Sequence, residues 1–156
     1  MGTYAGWSGD ACPVSRDVGY LRYNYPDSDA SDPLIGYETD TDEFHVGVSK
    51  DFGTVSAGFT YYYSPDFFDV GNGSYFDFGV DIPVGDFSIA LHYAATKIDE
   101  KDGGADLDYA DYGIGVSTEF EGFGRDLSYS GTDDDGLCSG SDLCDGRVYF
   151  TVSKSM

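Results

Sequence analysis

Tyr109-Ala-Asp-Tyr-Gly-Ile-Gly-Val-Ser-Thr-Glu-Phe120 decides the fold class. Read two by two, one row is Ala110, Tyr112, Ile114, Val116, Thr118 and Phe120, and the other is Tyr109, Asp111, Gly113, Gly115, Ser117 and Glu119. Successive side chains of a β-strand point to opposite sides, so an apolar row alternating with a polar one predicts a strand. The scheme recurs on both sides of this stretch. From Thr54 to Ser64, Val55, Ala57, Phe59, Tyr61 and Tyr63 alternate with Thr54, Ser56, Gly58, Thr60, Tyr62 and Ser64. Segments 74–84 (Phe76, Phe78, Val80, Ile82), 86–97 (Phe87, Ile89, Leu91, Tyr93) and 43–51 (Phe44, Val46, Val48) follow it. So do 123–130 (Phe123, Leu127, Tyr129) and 147–156 (Val148, Phe150, Val152, Met156). Segment 14–25 places Arg16 and Arg22 in the row of Val18 and Tyr20, and 3–8 reads as a remnant of one more strand. No convincing helical period interrupts the series, and the expected fold is all-β.

The connections alternate in length. Asp51-Phe-Gly-Thr54, Pro83-Val-Gly-Asp86 and Glu121-Gly122 read as tight hairpin turns. Long links are expected at 26–42, 65–73, 98–107 and 131–146, and with their border residues they hold 19 of the 29 acids. Short turns at one end and long acidic loops at the other describe an antiparallel up-and-down transmembrane β-barrel. About eight strands plus the remnant at 3–8 are expected, in a single domain over residues 1–156.

The charge narrows the function. Eight bases against 29 acids leave a net charge of −21, which argues against a nucleic-acid or anionic-membrane binder, since those need clustered Lys and Arg. Such charge with few apolar residues would mean disorder, but 14 Tyr and 11 Phe favour strands. No apolar run reaches the length of a transmembrane helix. Met1-Gly-Thr-Tyr-Ala-Gly-Trp7 lacks the basic start and apolar stretch of a signal peptide, so the protein is either cytosolic or carries a leader outside this chain. Cys138 and Cys144 are spaced to close a small disulfide loop, with Cys12 left over.

The polar rows separate a membrane barrel from a soluble sheet. Water-facing strand positions usually carry Lys, Glu, Arg and Thr, whereas these rows hold Gly, Ser, Thr, Ala, Asp and Tyr, which suit a narrow, wet interior. Val46-Gly-Val-Ser-Lys-Asp-Phe52, Ile114-Gly-Val-Ser-Thr-Glu-Phe120 and Phe150-Thr-Val-Ser-Lys-Ser-Met156 form a weak repeat at the short-turn end. An apolar strand closing on an aromatic, with a Lys able to snorkel, fits a bilayer boundary. Membrane-facing candidates are therefore Phe59, Tyr61, Phe78, Leu91, Ile114, Val116 and Phe150. Lumen candidates are Asp77, Asp81, His92, Tyr109, Asp111 and Asp126.

Tyr61-Tyr-Tyr-Ser-Pro-Asp-Phe-Phe68, Gly85-Asp-Phe-Ser-Ile-Ala-Leu-His92, Tyr109 to Ser117 and Asp145-Gly-Arg-Val-Tyr-Phe-Thr-Val-Ser-Lys154 resemble the TorF family of proteobacterial porins. Val18-Gly-Tyr-Leu-Arg-Tyr-Asn-Tyr-Pro26 is similar to it as well, so the resemblance spans about Tyr4 to Met156. It implies a barrel of the bacterial outer membrane, with no established substrate and no catalytic residues to carry over. Members usually begin with a signal peptide and further strands and end in Phe or another bulky apolar residue, where this chain has Met156. Strand parity points the same way: eight strands counted back from the C-terminus leave 3–8 starting on the outer side. The chain thus reads as the C-terminal portion of a larger barrel.

Four acidic clusters are weak cation candidates: Asp27, Asp29 and Asp32; Asp40 and Asp42 with Glu43; Asp99, Glu100 and Asp102; and Asp133, Asp134 and Asp135. None matches an EF-hand loop, and a solvated acidic rim is the commoner outcome. His45 and His92 fall in polar rows on separate strands. No Ser-His-Asp or Cys-His arrangement has a supporting motif, so no enzyme activity and no cofactor are expected. The expected partners are outer-membrane lipids, the barrel-assembly machinery and small solutes or cations. The expected function is passive passage of small solutes with a preference for cations. A non-conducting structural or adhesive barrel and a soluble acidic β-sheet protein binding divalent cations are the alternatives.

Overall fold

The computed structural model describes residues 1–11, 13–25, 40–100, 107–133 and 144–154, the side chain of Glu100 excepted. Nine strands form one antiparallel sheet in simple sequence order: β1 (Gly2–Ala11), β2 (Val14–Tyr23), β3 (Thr41–Asp51), β4 (Ser56–Phe67), β5 (Gly71–Val84), β6 (Phe87–Glu100), β7 (Tyr109–Phe120), β8 (Phe123–Thr132) and β9 (Arg147–Lys154). The up-and-down order agrees with the sequence reading. Closure of that order into a ring is not detected.

Two expectations are corrected. The stretch 3–8 is no remnant: β1 pairs with β2 from Gly2↔Tyr23 to Ala11↔Val14, a full ten-residue strand. The link expected at 65–73 is a tight turn, because β4 runs to Phe67 and β5 starts at Gly71. Val70 N donates to Phe67 O at 3.0 Å, and Phe68 and Asp69 take φ of 51° and 59°. Positive φ at both central residues is the type I′ hairpin geometry, whose hand matches the strand twist. The usual signal is Asn-Gly or Asp-Gly, and Phe-Asp hides it.

The turns that were expected hold. Gly53, Gly85 and Gly122 have φ of 86°, 63° and 74°, a region that side chains with a Cβ avoid. At the β3–β4 turn Phe52 N donates to Val55 O at 2.8 Å, and Gly53 N to Asp51 Oδ1 at 2.6 Å.

The contacts divide the chain into two compact units, residues 1–48, 60–76 and 96–108, and residues 49–59, 77–95 and 109–156. In the first, the β1–β2 register sets Trp7 opposite Val18 and Gly6 opposite Gly19. In the second, β7–β8 sets Phe120 opposite Phe123 and Ile114 opposite Tyr129, and β8–β9 sets Leu127 opposite Phe150.

Burial follows the rows, but in the sense opposite to a water-soluble sheet. The buried positions include Thr41, Gly47, Ser64, Gly73, Ala94, Thr96 and Gly115 in polar rows, with Ala110 and Gly131 the exceptions on apolar ones. Among the described residues the buried hydrophobic side chains are Ala94 and Ala110, and no large side chain is fully buried. Most of the large apolar residues are exposed instead, among them Leu91 at 40% and Phe150 at 68%, while Leu21, Ile82 and Ile89 are half-buried.

Candidate functional site

In the first unit the polar rows of β1, β3, β4 and β5 supply an aromatic ladder. The His45 ring stacks on Tyr4, with centroids 6.1 Å apart and planes 7° off parallel. Tyr62 tilts against its other side at 5.5 Å, and Tyr75 follows at 5.8 Å from Tyr62. His45 Nε2 contacts Asp17 Oδ1 from β2. Gly19 makes the approach possible: a Cβ there would lie 2.8 Å from Tyr4 Cε2, closer than packed carbons come. This polar row is filled by rings, so His45 is largely buried, its side chain 12% exposed.

Above the ladder lies a cavity of about 40 Å³, lined by Glu43, Tyr62, Ser64, Gly73 and Thr96 among others. Among the described residues Ser64 Oγ and Thr96 Oγ1 are buried with no hydrogen-bond partner. The surface of the cavity is mainly apolar, and the two hydroxyl oxygens are covered.

The second unit is more open. His92 on β6 lies between two carboxylates from the neighbouring strands, Nε2 at 3.4 Å from Asp77 Oδ1 and Nδ1 at 3.4 Å from Asp111 Oδ1. Toward the short turns a groove of about 440 Å³ follows, lined by the hydroxyls of Ser88, Ser117, Thr151 and Ser153, by Asp86, Glu119 and Asp126, and by one cation, Arg125, among others. Asp126 Oδ1 accepts from Ser128 Oγ, and Thr118 Oγ1 donates to the Asp86 carbonyl at 2.8 Å. Gly124 keeps the floor clear, since a Cβ there would meet Ser153 Oγ at 2.6 Å. Hydroxyls and carboxylates around such a groove can hydrate a cation or hydrogen-bond a polyol. They form no nucleophile–base pair.

The lumen candidates are therefore distributed unevenly. Asp77, His92 and Asp111 come together, and Asp126 lines the groove. Tyr109 is half-buried and Asp81 exposed, in the same polar rows as Asp111 and Asp77. The membrane-face candidates Phe59, Phe78, Leu91, Ile114, Val116 and Phe150 are exposed on the apolar rows. Tyr61 shares the row of Phe59 but is half-buried, its ring 5.0 Å from Phe76 and its hydroxyl 3.1 Å from Ser74 Oγ. The sequence reading missed the Tyr4–His45–Tyr62–Tyr75 ladder. Polar-row tyrosines on consecutive strands were its one visible trace.

The acidic candidates have other duties where they can be described. Asp40 and Asp42 close on Arg22, at 3.3 Å and 2.9 Å. Asp42 also accepts from Tyr20 Oη at 2.6 Å, and Asp40 from Tyr25 N at 2.8 Å. Asp133 Oδ1 accepts from Ala110 N at 2.6 Å. Asp27, Asp29, Asp32, Asp102, Asp134 and Asp135 lie outside the described residues, as do Cys12 and Cys138. Cys144 is disulfide-bonded.

Residues 1–156 match the protein family described as a bacterial protein of unknown function (Gcw_chp). The match carries no assignment to the TorF porins. No curated protein and no solved structure matches the chain.

Proposed function

The chain belongs to the Gcw_chp family of bacterial proteins of unknown function, and from that premise we propose that it is a β-barrel of the bacterial outer membrane through which small solutes, cations preferred, pass passively. The observation that carries this reading is inverted burial. Ile114, Phe78 and Phe150 are exposed at 47%, 48% and 68%, while the buried hydrophobics among the described residues are two alanines. Exposed apolar area costs roughly 25 cal/mol per Å² in water, and apolar patches beyond a few hundred Å² are rare on soluble monomers. A bilayer removes the cost. It also demands that every backbone donor and acceptor be paired, so closure of the sheet is part of the proposal.

The cation preference rests on the second unit. Asp77, Asp111, Asp126 and Glu119 share its polar rows with His92, and a low-dielectric wall would focus their field into the aqueous path. No catalytic step and no cofactor enter this reading. The partners are membrane lipids, the barrel-assembly machinery and small ions or solutes.

One observation favours a second reading, a non-conducting structural barrel. The aromatic ladder of the first unit fills its polar row, and small barrels have interiors that side chains can occupy completely. A soluble cation-binding sheet is disfavoured by the same inverted burial.

Two measurements test the proposal. A folded barrel migrates faster on a denaturing gel unboiled than boiled; identical mobilities from lipid-reconstituted protein would reject the membrane barrel. Current steps in a planar bilayer are expected for the porin, and a flat baseline from heat-modifiable protein would leave the structural barrel.

A further inference from the structure

The cations at the two ends of the strands are treated differently. Away from the short turns Arg22 is held by Asp40 and Asp42, and Lys97 by Asp108 at 3.3 Å. Beside the short turns of the second unit each described cation sits over a phenylalanine instead. Lys50 Nζ is 4.8 Å from the centre of the Phe52 ring, Arg125 Cζ 5.3 Å from that of Phe120, and Lys154 Nζ 4.6 Å from that of Phe123. None of these three forms an ion pair among the described residues. The absence is notable in a chain with 29 acids.

The register makes this a surface. Phe120 faces Phe123 across β7–β8, and Phe123 faces Lys154 across β8–β9, so two rings and an ammonium line up over three strands. All lie on apolar rows continuous with Val116, Leu127, Phe150 and Val152. Phe52 and Phe120 are exposed at 56% and 57%. Asp51 belongs to a polar row and bonds Gly53 N, Glu121 sits in a turn, and Asp86, Glu119 and Asp126 line the groove that Arg125 also borders, none of them within ion-pairing distance of its guanidinium among the described residues.

A cation over an exposed ring keeps most of its charge, because the ring offers a quadrupole and no counter-ion. Its stem lies on apolar surface while its head is free to meet an anionic oxygen from outside. At the edge of an apolar wall the anion at that depth is a lipid phosphate. We propose that this rim docks the headgroups of an anionic phospholipid leaflet, so that the short-turn end faces such a leaflet. The inference rests on the barrel reading. The bulk charge of −21 does not oppose it, since much of the acid lies in the long links and the Debye length at roughly 0.15 M salt is about 8 Å.

The experiment uses the full chain refolded into vesicles of phosphatidylcholine, with or without phosphatidylglycerol, at that ionic strength. The fraction in the heat-modifiable form is measured against urea. Phosphatidylglycerol is expected to raise the folding equilibrium constant by about fivefold per engaged cation, and added salt to erase the gain. The triple variant Lys50→Gln, Arg125→Gln, Lys154→Gln should fold in phosphatidylcholine but lose that gain, while Lys50→Arg with Lys154→Arg should keep it. Equal stability of the wild type in both vesicles would overturn the lipid rim and leave the barrel standing. A gain retained by the triple variant would overturn it too. Failure to reach a heat-modifiable form in either vesicle would remove the barrel reading and the rim with it.

Discussion

Asp108 stands just before β7 and ties that approach to β6. Its Oδ1 accepts from Ile98 N at 2.9 Å, and its Oδ2 lies 3.3 Å from Lys97 Nζ. The backbone N–H first, and the ammonium second, hold its carboxyl below the ordinary carboxylate range. A carboxylate with a lowered folded pKa stabilises above its unfolded value, near 3.9, and that contribution fades as pH falls through the lowered value. The Ile98 amide chemical shift should therefore titrate with a midpoint below that of an unpaired Asp; a midpoint at or above it contradicts the contact. Exposure keeps the energetic effect small. Little of this scale was legible in the sequence. Asp40 and Asp42 look alike there as cation ligands, yet register with β2 brings Arg22 to both. His92 was placed in a polar row, but which carboxylates flank it depends on strand stagger, and period-two patterns leave that open.

Strands were the legible elements, because alternation of Ile, Val, Phe and Tyr with Gly and Ser is a strong signal at the scale of ten residues. Turns were legible only where glycine marked them. Glu121 and Gly122 have φ of 53° and 74° between Phe120 and Phe123, so the two-residue β7–β8 turn has positive φ at both centres. A glutamate pays for that backbone and asparagine far less, so Glu121→Asn should stabilise by about 1 kcal/mol, read as a shifted urea midpoint with an unchanged slope. No shift would argue against this turn geometry. Phe68–Asp69 has the same conformation without the sequence signal, and ring contacts of Phe68 with Phe67 at 4.7 Å and Tyr25 at 6.1 Å help hold it. The apolar rows carry a sharper test. Ile114→Lys at the middle of β7 should cost roughly 2–4 kcal/mol if that row faces lipid, and within about 0.5 kcal/mol if it faces water. Urea unfolding from vesicles reads the difference.

At the scale of the whole molecule, the sequence carried the direction of the chain and the sign of its charge, while the number of strands needed the structure. Alternation at 3–8 is short, and Gly2 and Gly9 flank it, so a full β1 was hidden by its own composition. Closure into a barrel was expected from the alternation of short and long connections, and it is not detected in the sheet; it depends on how strand twist accumulates, which period-two patterns do not encode. Charge was assigned chiefly to the long links, but the groove of the second unit adds Asp86, Glu119 and Asp126 beside the short turns. Under the porin reading a salt gradient should give a reversal potential of the cation sign. Glu119→Gln with Asp126→Asn should move it toward zero while conductance persists. An anion-signed potential, or one indifferent to both substitutions, would remove the proposed role of the groove.

Strand β9 is exposed at each of its eight residues, and it is the last in the sheet order after β8. Such a terminal edge is a template on which another chain can grow by the same hydrogen-bonding pattern. Before lipid covers the apolar rows, the newly folded hairpin of β8 and β9 is thus in a race. Insertion is first order in protein and edge-to-edge growth is at least second order. Dilution therefore favours the membrane, and crowding of copies in water favours fibres.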